Sequence, residues 1–104
     1  MNMENADTMT AAASRLEYKI WWIPQIPMKA FEFPVSSVQE GKTICNLLAL
    51  YDAFQFENNI KPDYCNTGGV LLKHPIITEN EWWSVPDDDE ELNDILAECH
   101  VLDN

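Results

Sequence analysis

Residues 16–23, LEYKIWWI, decide the fold. The residues are β-branched and aromatic, with Leu16, Tyr18, Ile20 and Trp22 alternating against Glu17, Lys19, Trp21 and Ile23, the period of a strand with one clean apolar face. The second face turns apolar only at Trp21 and Ile23, so that end packs locally or faces a partner. Pro24 and Pro27 cannot donate to a ladder and end the strand or force it to an edge. In residues 30–35, AFEFPV, the alternation resumes with Phe31, Phe33 and Val35 against Glu32 and Pro34. This predicts an antiparallel hairpin with Pro34 at an edge or terminal position.

Working outward, Ser37-Val38-Gln39-Glu40 has the spacing of a capping box and opens a helix. Its apolar stripe is expected to be Ile44, Leu47, Leu48 and Tyr51, continued by Phe54, with Asn58 and Asn59 ending it. Residues 61–68 read as a loop with Asn66 to Gly69 supplying a turn, followed by a short buried strand around Val70 to Leu72. Trp82, Trp83 and Val85 are placed to pair with that strand. Pro86 and the acids Asp87, Asp88, Asp89, Glu90 and Glu91 suit a helix N-terminus, and Leu92, Ile95, Leu96 and Cys99 form its buried stripe. The order β-β-α-β-β-α predicts an α+β domain, a small antiparallel sheet with helices on one face, over residues 15–104. Residues 1–14, MNMENADTMTAAAS, lack apolar periodicity and read as a mobile leader.

The chain has 104 residues, 18 acidic and 6 basic side chains and a formal net charge of -12. With 46% hydrophobic residues it has enough apolar material to close one modest core and is no disordered acidic tail. The charge is unevenly placed. Residues 1–73 hold 8 acids and 6 bases, whereas residues 74–104 hold 10 acids and no Lys or Arg. That balance argues against direct binding of nucleic acid or anionic lipid, which needs Lys and Arg, and favours a neutral or basic partner. Cys45, Cys65 and Cys99 are odd in number and lack a C-x-x-C spacing, which suits reduced thiols in a cytosol. No segment has the roughly 18 consecutive apolar residues of a membrane span.

The expected surface of interaction combines the acids Asp87, Asp88, Asp89, Glu90, Glu91 and Asp94 with the tryptophan pairs Trp21, Trp22 and Trp82, Trp83. Adjacent strand residues face opposite ways, so each pair should give one ring to the core and one outward. Tryptophan is a frequent anchor of protein interfaces. The plain structural reading is a solvated helix start and rings that cover the sheet's far face. Catalysis is not expected. Cys65 with His74, or Cys99 with His100, are the available thiol–imidazole pairs, and Cys99 belongs to a buried stripe. No pair has zinc-ligand spacing, PDDDEEL lacks the glycine of a calcium loop, and no cofactor motif is present.

The runs YKIWWIPQIPM (18–28), FEFPV (31–35) and LALYDAFQFENNIKPDYCN (48–66), then a Gly-Gly pair and a Trp-bearing acidic end, carry a family resemblance. The chain resembles a family of small tailed-bacteriophage proteins with a WWIPQ-P and ENNIKPDY signature, some loosely labelled superinfection exclusion. The resemblance covers about residues 16–85 and brings no catalytic motif. It implies an accessory phage protein in the host bacterial cytoplasm, where small acidic domains often bind and block a host protein. The leading expectation is a non-enzymatic inhibitor or adaptor of a host protein with a basic surface, acting in counter-defence, host takeover or superinfection exclusion. Alternatives are a nucleotide-signal sponge using Trp21, Trp22, Lys61, Asp63 and Tyr64, a nucleic-acid mimic, and a virion component.

Overall fold

A computed structural model describes residues 15–59 and 65–103. The strands are β1 (Glu17–Ile23), β2 (Phe31–Val35), β3 (Thr67–Lys73) and β4 (Trp83–Ser84), and the helices are α1 (Val38–Glu57) and α2 (Asp89–Asp103). The α+β class and the β-β-α-β-β-α order are as the sequence predicts. The sheet order is β2-β1-β3-β4, antiparallel throughout. Residues 1–14, with the expected leader, lie outside the described residues.

The apolar face of residues 16–23 sets the register. Ile20 stands opposite Phe33 of β2 and Val70 of β3, and Tyr18 opposite Val35 and Leu72. Ile20, Trp22, Val70 and Leu72 are buried, joined by Leu92 and Cys99 of α2. Burying each large apolar side chain contributes about 1.5–3 kcal/mol, and β1 at the sheet's centre supplies two of them.

The α1 start is the expected box with one change. Ser37 Oγ accepts from the Glu40 amide at 3.0 Å, but the Glu40 carboxylate reaches the amide and hydroxyl of Ser36, at 2.7 and 2.6 Å. Those two Ser36 hydrogen bonds, the side-chain one first, hold the Glu40 carboxyl below its ordinary value. Asn58 ends the helix, its amide and side chain both donating to the Phe54 carbonyl. In α2 the Asp88 carboxylate accepts from the Glu90 amide at 2.9 Å, and Leu92 and Cys99 are buried as expected.

Two expectations are corrected. α1 meets the sheet along Gly41, Ile44, Cys45, Leu48 and Asp52, while Leu47, Tyr51 and Phe54 of the expected stripe are exposed. Gly41 sits so close that a Cβ there would lie 2.9 Å from both Val70 methyls, and Asp52 is drawn in by Trp22, which together fix the helix rotation. Gly68 and Gly69 are not a turn but the second and third residues of β3, paired with Trp22 and Trp21.

Candidate functional site

The Trp21-Trp22 and Gly68-Gly69 dipeptides build one local structure. Trp22 points into the core and Trp21 to the far face, so their rings straddle β3 at the point where it has no side chains. A Cβ on Gly68 would collide with the Trp22 ring and stand 2.6 Å from the Trp21 carbonyl oxygen; one on Gly69 would stand 3.1 Å from the Trp21 indole nitrogen. Bare backbone is therefore the condition for both rings to lie this close to the strand.

Trp22 is 7% exposed. Its indole N–H donates to Asp52 Oδ2 at 3.1 Å, and Asn66 Nδ2 donates to the same oxygen at 2.8 Å. This corrects the assignment of Trp22 to a contact surface, because both its ring and its polar atom are engaged inside. Asp52 escaped the sequence reading. The signal was a lone acid three helical turns after Gly41, on the same line of α1.

Trp21 remains accessible. It lines a cleft of about 420 Å³ with Lys42 and Asn46 of α1, Gly68 and Gly69 of β3, and Val85 to Asp87. The cleft exists because β4 is two residues long. Val85 N still donates to the Val70 carbonyl at 3.0 Å. Strand alternation turns the backbone groups of Gly68 to the same edge, where Pro86 leads the chain away into α2. Asp87 thus stands at the cleft, and Asp88, Asp89, Glu90, Glu91 and Asp94 are all exposed along the start of α2. The structure brings Trp21 and Asp87 together.

The other tryptophan pair divides differently. Trp82 is half-buried beneath two cations, Lys19 Nζ at 4.3 Å and Lys73 Nζ at 4.9 Å from its ring, an arrangement that favours the charged lysines over the ring face. Lys19 also bridges Glu32 at 2.8 Å. Trp83, opposite Leu72, is 43% exposed.

His74 is fully buried and closes the far end of the domain. The amides of Ile76 and Ile77 donate to its Nδ1 at 3.1 and 3.2 Å, so Nε2 carries the proton and donates to Asp103 Oδ1 at 2.9 Å. Arg15 donates to the same carboxylate from its backbone N at 2.9 Å and from Nε at 2.8 Å. The Arg15 amide foremost, then the His74 ring N–H and the Arg15 guanidinium, hold the Asp103 carboxyl at about 2. The cluster ties both chain ends of the fold to the β3–β4 connection, with no ring nitrogen of His74 left to act as a base. Burial pushes the Cys45 and Cys99 thiols up, with Asp103 and Glu98 adding to the effect at Cys99. Cys65 is exposed. Among the described residues no cluster of three or more His, Cys, Asp or Glu could hold a metal ion. Lys61, Asp63 and Tyr64, expected for a small ligand, lie outside the described residues.

Fold and surface together define a small α+β domain with a Trp-lined sheet edge beside an acidic helix start. Residues 17–102 match the family described as Superinfection exclusion gene product 17, and the chain belongs to that family. It is 42% identical over 89 residues to the superinfection exclusion protein of Salmonella phage P22, covering 86% of this chain and 85% of that one. No solved structure matches the chain.

Proposed function

We propose that the protein acts in superinfection exclusion as a non-enzymatic binder, holding a host protein of basic surface against the acidic start of α2 and the Trp21 cleft. The observation that carries this reading is the shared cleft of Trp21 and Asp87, at the β3 edge and bordered by five further exposed carboxylates. An aromatic anchor within a charged rim is the usual composition of a protein-binding hot spot, and opposite charge accelerates encounter. Action by binding also fits the His74 imidazole, buried with both nitrogens occupied, and the Cys45 and Cys99 thiols raised by burial. Among the described residues no helix is long and apolar enough to cross a membrane.

The test is retention of host proteins on the immobilised full chain, compared with a variant reversed at Asp87, Asp88, Asp89, Glu90 and Glu91 to Lys. The expected result is a partner retained by the natural chain, lost on the variant and released as salt rises. An identical retained set on both would remove the acidic face from the site.

A further inference from the structure

A second apolar surface lies across α1 from the cleft. Lys42 and Asn46 line the flank of α1 toward the β3 edge. Helical spacing puts Leu47, Tyr51 and Phe54 on the opposite flank, on the β2 side. There Phe31 and Phe33, register partners of Trp22 and Ile20, rise from the same sheet face. Phe31 and Phe33 stack at 6.4 Å between centroids, and Tyr51 and Phe54 at 6.5 Å. These five residues and Leu50 are between 48% and 70% exposed. The buried core of the described residues also holds six apolar side chains, so the domain shows as many large apolar groups on this one side as it buries.

We propose that this surface is the interface of a homodimer, in which the α1 flank of each copy seats against Phe31 and Phe33 of the other. Three observations select a second copy. The six side chains expose roughly 700 Å², close to the ~800 Å² per partner of a standard stable interface. The surface is self-complementary in kind, a helical ridge beside an aromatic strand, which a two-fold axis matches ridge to strand. Charge decides the rest. From Thr43 to Phe56 the one Asp, Glu, Lys or Arg is Asp52, which is buried inward. Two chains of net charge -12 repel, and they meet at least cost where acids are fewest; Glu32, between Phe31 and Phe33, and Glu40, in helical line with Leu47 and Tyr51, are held by Lys19 and by Ser36. This inference stands apart from the binding role of the acidic face.

Sedimentation of the full chain over a concentration series tests it. The natural chain is expected to reach twice its 12.0 kDa mass, with association strengthening as salt screens the repulsion, the opposite of a charge-matched partner. Leu50→Glu and Phe54→Glu should each weaken the dimer by at least about tenfold. Because both side chains are more than half exposed, far-UV circular dichroism should show both variants folded. A natural chain that stays monomeric throughout, or a dimer untouched by both substitutions, would overturn the proposal. A dimer that appears only after deletion of residues 1–14 would overturn it as well, assigning the surface to that segment.

Discussion

Trp22 donates its indole N–H to Asp52 Oδ2 across 3.1 Å, joining the C-terminal end of β1 to the last third of α1 inside the domain. The carboxylate is 4% exposed and also takes the side-chain amide of Asn66. It is therefore the polar pin that sets α1 on the sheet.

Asp52→Ala leaves the buried Trp22 N–H and the half-buried Asn66 amide without their shared acceptor, at a cost of about 1–3 kcal/mol. Urea denaturation followed by Trp fluorescence measures this. Trp22→Phe keeps most of the ring and deletes the donor, so the two substitutions together should cost less than the sum of the single changes. Strict additivity would mean that the contact contributes nothing.

Gly68→Ala is expected to destabilise more than Gly69→Ala. The first Cβ meets the Trp22 ring and the Trp21 carbonyl, whereas the second meets an indole that can shift outward. Overpacking costs about 1–3 kcal/mol, and thermal melts of the two variants give the order. Equal melting temperatures would contradict the close approach of ring and strand.

Asp103 makes stability depend on acid. Its carboxyl falls from 3.8 unfolded to about 2 folded, so its contribution is present above pH 3.8 and lost as the pH falls toward 2. The gap in urea midpoint between the natural chain and Asp103→Asn should be constant from neutral pH down to the ordinary carboxylate range and shrink below it. A gap that widens in acid would have the wrong sign.

Of the three thiols, Cys65 is exposed while Cys45 is half-buried and Cys99 buried, both with raised values. A disulfide reagent at mildly alkaline pH should titrate one thiol promptly and the others only on unfolding. Three equally fast thiols would contradict the packing of α1 and α2.

Local signals explain which parts were legible. The α2 start, its buried stripe and the end of α1 at Asn58 follow from caps and spacing within a few residues, and each is found in place. The rotation of α1 was not legible, because Ile44 and Leu48 compete with Leu47, Tyr51 and Phe54 for the same helix. The choice rests on partners distant in sequence, Val70 against Gly41 and Trp22 against Asp52. Gly68-Gly69 looked like a turn for the same reason. Only the pairing with Trp21-Trp22 shows that the glycines make room for rings. At the candidate site, the inward face of Trp22, the outward face of Trp21 and the exposed acids were readable from strand alternation, whereas the Asp52 partner of Trp22 and the lysines over Trp82 required the sheet order.

The most direct measurement is the plating efficiency of a challenging phage on cells that make the protein. The natural chain is expected to lower plating, and a chain with Asp87, Asp88, Asp89, Glu90 and Glu91 changed to Lys, folded and equally abundant, should restore it to the level of cells without the protein. Trp21→Ala should restore it in part. Full exclusion by the charge-reversed chain would contradict the acidic face as the site of action.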